Sequence, residues 1–186
     1  MSVTPHVIRL RRHGRALGTR TLGEKVAQEV RDATHDAPAL ILDFADVRVA
    51  SSPFLDEVVC AMRAAIVDRP QRFVLLANLN EDVADTIALV LERRDASLAA
   101  LDEDKVEVLG GRPHLQETLA AAQALGTFTA AELAELLEQK LPNLHQRLAQ
   151  LQAAGALTRS EDPKARRGRR LLFKTPELQE LASAVS

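Results

Sequence analysis

Two nearly continuous apolar runs, Ala39-Leu-Ile-Leu-Asp-Phe44 and Arg72-Phe-Val-Leu-Leu-Ala77, restrict the possible folds most. A strand that is apolar at consecutive positions is buried on both faces, as in a parallel sheet covered on both sides. Around the runs lie segments with helical spacing. Thr19 to Thr34 sets Leu22, Val26 and Val30 on one face, with Gly23 as a weak point; Ser52 to Val67 and Asp82 to Arg94 follow. Val7 to Leu10 and Lys105 to Leu109 read as shorter strands. Strands separated by helices imply right-handed crossovers and an α/β sheet with covered faces. Gly110-Gly-Arg-Pro113 then breaks the chain and separates residues 1–110 from 111–186. Two separable folding units are expected, with Pro113 to Leu125 a connecting helix or the first helix of the second unit.

The second unit reads as a helix-turn-helix followed by a basic β-hairpin, a winged helix. Thr129-Ala-Ala-Glu132 has the form of a capping box. Leu133, Leu136 and Leu137 mark one face of the first helix. Pro142 stands where a second helix would begin, and Leu144, Leu148 and Leu151 repeat at helical spacing until Gly155 ends it. Ala156 to Arg159 and Arg169 to Lys174 are the strands, joined by a charged tip from Ser160 to Gly168.

Charge is concentrated there. The whole chain carries a formal −2, whereas residues 159–174 hold seven Lys and Arg against two acidic residues, a net of +5. A local basic patch on a near-neutral protein points to a docking surface for a polyanion. Cys60 is the only cysteine, so no intramolecular disulfide and no thiolate zinc cluster can form. Its neighbours Val58, Val59, Ala61 and Met62 suggest a small buried hydrophobe. No segment approaches the ~20 apolar residues that span a bilayer, and no signal peptide is evident, so a cytoplasmic protein is expected.

Catalytic patterns are missing. His6, His13, His35, His114 and His145 are scattered without the i, i+4 spacing of a helical metal site. His13 with Arg11, Arg12 and Arg15 reads as an exposed basic turn rather than an anion site. Asp102-Glu-Asp104 reads as a solvated loop rather than a metal site. No nucleophile, base and orienting group come together, so the chain is read as a non-enzyme without cofactor or metal.

Gly18-Thr-Arg20, the strand Leu40 to Phe44, Val47 and the segment Val49-Ala-Ser-Ser-Pro-Phe-Leu-Asp-Glu-Val58 resemble the STAS-like domains, relatives of the anti-sigma-factor antagonist fold. The resemblance covers roughly residues 6–110 and implies a mixed sheet backed by helices, which binds a protein partner. Residues 112–176 are similar to winged-helix regulators of the ArsR and MarR type, through Leu148-Ala-Gln-Leu-Gln-Ala-Ala-Gly-Ala-Leu157. In the antagonist family the loop before the second helix carries a phosphorylatable serine, and Ser51 holds that place here. Ala50 and Pro53 replace the Asp and Gly of the family's pattern. The reading preferred for this loop is a helix start, with Ser52 as N-cap and Pro53 as the first helical residue.

Asn143, Gln146, Arg147 and Gln150 are the expected base readers, because paired hydrogen bonds let Asn and Gln read adenine and Arg read guanine. Lys164, Arg166, Arg167, Arg169 and Arg170 are the expected phosphate contacts. The leading expectation is a homodimeric transcriptional regulator that binds double-stranded DNA. Asp82–Ala100 and Pro113–Leu125 are candidate dimer interfaces. A protein-interaction adaptor, in which the winged helix also contacts protein, and a small-molecule sensor are the alternatives.

Overall fold

The computed structural model describes residues 4–33, 37–103, 105–163 and 170–186. Strands β1 (His6–Arg9), β3 (Ala39–Asp43), β5 (Phe73–Ala77) and β6 (Leu98–Asp102) run parallel, and β7 (Lys105–Leu109) closes the sheet antiparallel, in the order β1-β3-β5-β6-β7. Helices α1 (Arg20–Asp32), α2 (Ser52–Asp68) and α3 (Glu81–Arg93) connect the parallel strands. Every parallel step moves to the next place in one direction, and crossovers of one hand then leave all three helices on the same face. Their apolar residues, such as Val26, Phe54 and Ile87, meet Leu40, Leu42, Val74 and Leu76 there.

A two-residue parallel pairing of β2 (Ala16–Leu17) with β4 (Val49–Ala50) ties the approaches to α1 and α2 together. Gly23, expected to weaken α1, lets α1 approach α2 closely. A Cβ there would stand 2.7 Å from the Phe54 carbonyl oxygen. The sequence reading also missed β6. Residues 98–102 are a strand hairpinned to β7, with Glu103 at φ +47 in the turn.

The opposite face of the sheet carries Ile41, Phe73, Leu75, Ala99 and Leu101, and the C-terminal half covers it. That half comprises α4 (Pro113–Leu125), β8 (Thr127–Phe128), α5 (Ala130–Leu136), α6 (Leu141–Ala153), β9 (Thr158–Glu161), β10 (Leu171–Lys174) and α7 (Leu178–Val185). β8, β10 and β9 form a second, antiparallel sheet in that order. Leu115 and Leu119 of α4, Leu148 and Leu151 of α6 and Leu181 of α7 share one apolar cluster with the first sheet. Helix α7 was not anticipated. Its last carbonyls accept from Arg9 and Asn78 at the ends of β1 and β5.

The two halves are also joined through the backbone. Gly155 ends α6 at φ +81, with its N–H donating to Gln152 O and the Ala156 N–H to Leu151 O, the Schellman pattern. The next carbonyls enter the main sheet. Ala154 O accepts from the Ala99 N–H at 2.8 Å and Gly155 O from the Val74 N–H at 3.4 Å. The β5–β6 pairing accordingly begins only at Leu75 and Ala99. A Cβ on residue 155 would lie 2.4 Å from Val74 O. Nor is Gly110-Gly111 a loose linker: Cβ atoms there would stand 2.6 Å from Ala96 O and 2.8 Å from Val108 Cγ1. Residues 1–110 and 111–186, expected as separable units, therefore share one of the two apolar clusters.

Arg94, the C-cap of α3, donates Nε and Nη2 to the two Asp56 oxygens of α2 at 2.7 and 2.8 Å. These hydrogen bonds hold the Asp56 carboxyl below the usual aspartate range, against a smaller upward effect of burial.

Gly155→Ala combines a forced positive φ with a clash against β5, and should cost about 3 kcal/mol or more in urea denaturation. The wild type should unfold in one transition, and limited proteolysis should not release two protected pieces by cutting at 109–113. In acid, Asp56→Asn tests the ion pair. A depressed native pKa contributes stability above the unfolded-state value, and that contribution is lost as pH falls through the native one. The variant should be less stable than wild type at neutral pH, and the two stability curves should converge in acid.

Candidate nucleic-acid interface

Helix α5 begins with the expected capping box. Thr129 Oγ1 accepts from the Glu132 N–H at 3.3 Å, and Glu132 Oε2 accepts from the Thr129 N–H at 2.7 Å. The Thr129 N–H, and then its hydroxyl, lower the Glu132 pKa. Leu133 is buried, but Leu136 is 53% exposed, so the expected apolar face is narrower than read. Glu138, at φ +51, takes the turn, and Pro142 lies in the first turn of α6. Leu144, Leu148 and Leu151 are fully buried, which fixes how α6 is rotated.

At 100° per residue, Asn143, Gln146, Arg147 and Gln150 share the flank beside that buried stripe. Asn143, Gln146 and Gln150 are exposed. Arg147 differs from these three. It is half-buried, and its Nη1 donates to Thr118 Oγ1 of α4 at 3.3 Å. Thr118 is itself fully buried and donates to the His114 carbonyl at 2.7 Å. Arg147 is therefore drawn toward α4. All four expected readers line one depression of about 200 Å³, together with Arg112 and His114. Those two were missed because Gly-Gly-Arg-Pro was read as a domain break; their place at the start of a helix feeding the turn motif was the available signal. Next to the depression, a cleft of about 420 Å³ sets Gln146, Gln150 and Ala153 opposite Arg63, Glu92 and Asp95.

Of the expected phosphate contacts, Lys164, Arg166, Arg167 and Arg169 lie outside the described residues. Arg170 is exposed at the foot of β10, its Nε 3.9 Å from Asp162 Oδ2. The strands that carry the tip are held by pairing from Thr158 with Lys174 to Glu161 with Leu171. Phe173 and Phe128 stack beneath them, 5.8 Å between centroids.

Elsewhere, three readings change. Ser51, not Ser52, is the N-cap of α2: its Oγ accepts from the Phe54 N–H at 3.3 Å and donates to Gly18 O at 2.8 Å, while Ser52 is already helical. A phosphate on Ser51 would remove the hydroxyl proton and with it the bond to Gly18 O, whereas an oxygen of the ester can still accept from the Phe54 N–H. Cys60 is exposed rather than buried. His13 is not in an open basic turn: its Nε2 lies 3.0 Å from Glu29 Oε1, and Arg12 pairs with the same carboxylate. Asp102 and Glu103 are exposed, and Asp104 lies outside the described residues. Among the described residues no cluster of three His, Cys, Asp or Glu could hold a metal, and no helix is long and apolar enough to cross a membrane.

Compared with known proteins, the chain matches no family model and none of the curated proteins.

Ser51→Ala should destabilise the protein by about 1 kcal/mol, the usual cost of a lost N-cap. Ser52→Ala should stay within about 0.5 kcal/mol of wild type. Thermal or urea denaturation separates the two, and equal losses would reject the assignment of the cap.

Proposed function

We propose that the protein is a cytoplasmic transcriptional regulator that binds double-stranded DNA through residues 113–174, with the STAS-like half sensing a signal or binding a partner. The order of elements carries the reading: helix α4, strand β8, helix α5, a tight turn, helix α6 and the β9–β10 hairpin, with β8 joining β10 in one sheet. That is the order of a winged helix, whose second turn-motif helix enters the major groove while the wing reaches the backbone. The basic run at 164–170 is the electrostatic complement of DNA.

On this reading α6 enters the groove by its N-terminal half. Glu92 and Asp95 stand across the cleft from its C-terminal half and offset Arg63 and Arg112, so the cleft offers phosphate no net positive charge. Asn143 and Gln146 then lead the base contacts, with Gln150 more sheltered. Affinity for a full site comes from a homodimer that reads two half-sites, since α6 itself holds one Arg and no Lys. The function is recognition rather than catalysis.

Capture of genome-wide bound DNA, followed by salt-dependent binding to a recovered site, tests the proposal. Gln146→Ala should narrow the gap between specific and random duplex by roughly 1–3 kcal/mol. Replacing Arg166, Arg167, Arg169 and Arg170 with Ala should weaken all duplexes alike. It should also flatten log K against log salt by about 0.9 per lost phosphate contact. Absence of duplex binding by the wild type at low salt would reject the regulator and favour the adaptor.

A further inference from the structure

We propose that Arg112, His114 and Arg147 form a phosphate-binding point on the α4 side of α6, which takes a backbone phosphate of the bound duplex. The proposal rests on the DNA-binding reading above and adds an anchor that the hairpin does not supply.

The depression beside α6 is lined by Arg112, His114, Asn143, Gln146, Arg147 and Gln150, with no carboxylate among them. Two guanidinium groups there are cationic at any physiological pH, and the imidazole and three amides add N–H donors. The neighbouring cleft, which shares Arg112, Gln146 and Gln150 with it, differs, because Glu92 and Asp95 offset Arg63 and Arg112 there. An anion arriving at this surface is thus drawn to the α4 end of the groove.

The site is held in shape by a buried group. Thr118 is 0% exposed, and its hydroxyl accepts from Arg147 while donating to the His114 carbonyl. One side chain therefore fixes both Arg147 and the first turn of α4. The contact uses one of five guanidinium N–H donors, and the remainder can engage an anion. A planar guanidinium held at its rim suits bidentate recognition of a phosphate. Such a group cannot also reach freely into the groove to read bases, so Arg147 belongs with the phosphate contacts and not with Asn143 and Gln146.

The test uses the full chain with Arg112→Ala, Arg147→Gln, and Arg63→Ala as a control from the far wall of the cleft. Binding to a specific and a random duplex is followed by fluorescence anisotropy across a salt series. Arg112→Ala and Arg147→Gln should each weaken both duplexes by the same factor and lower the log–log salt slope by about 0.9. Arg63→Ala should change neither. Wild-type slopes for Arg112→Ala and Arg147→Gln would overturn the proposal while leaving DNA binding intact. Loss confined to the specific duplex would overturn it in favour of base reading. In a second arm, inorganic phosphate is titrated without DNA and followed by the amide signals of His114 and Leu115. Saturable shifts that Arg112→Ala removes support the anion site. The same shifts in a protein that binds no duplex would overturn the backbone phosphate as its occupant, together with the regulator reading, and leave a free phosphate or phosphorylated small molecule in its place.

Discussion

The uncovered face of a sheet wound in one direction is the constraint on which the remaining architecture depends. Crossovers of one hand that always step the same way put α1, α2 and α3 on one side. Ile41, Phe73, Leu75 and Ala99 then face the other side and need a second layer. Burying each large apolar side chain contributes about 1.5–3 kcal/mol, so leaving that row in water would forfeit much of the margin of a folded domain. Residues 113–185 supply the layer. Their own elements are short: α5 has seven residues and α6 thirteen, lengths at which an isolated helix is marginal in water. Sheet and C-terminal helices thus complete one another's core.

That dependence places α6. Its leucine stripe sets its rotation, and the carbonyls of Ala154 and Gly155 fix its C-terminal end to the starts of β6 and β5. Its N-terminal end, with Asn143 and Gln146, stays toward solvent. A change in the spacing of β5 and β6, or in α2 where Ile66 approaches Gly155, therefore bears on the helix without any flexible link between.

Much of this was legible in the sequence, and the failures have definite causes. The double-sided apolar runs became β3 and β5, and Thr129, Glu132 and Gly155 cap helices as their chemistry suggests. Leu98-Ala-Ala-Leu101 escaped because alanine favours helix over strand, which hid the turn that Asp95 makes at φ +46 just before it. The choice between Ser51 and Ser52 as cap lies in tertiary pairing: the Ser51 N–H donates to Leu17 O, which holds Ser51 extended beside β2. Cys60 misled because four of its near neighbours are apolar. Asp56 and Arg63, at i−4 and i+3, mark the outward stripe to which it belongs. Arg147 could not be placed from helical phase alone, since a long side chain near the edge of a buried face turns toward whatever acceptor the neighbouring helix offers, here Thr118.

The order in which the ribosome delivers these layers gives the shared core a biosynthetic meaning. The main sheet is complete in sequence by Leu109, whereas its second cover ends only at α7. At about 5–20 residues per second, the nascent sheet holds a bare apolar face for on the order of several seconds. The strands that carry it, β3 and β5, are central and paired on both edges, so that face exposes apolar side chains rather than unpaired backbone groups. The hazard that face poses during synthesis is adhesion rather than templated pairing, and holding chaperones, which bind apolar surface, are suited to meet it.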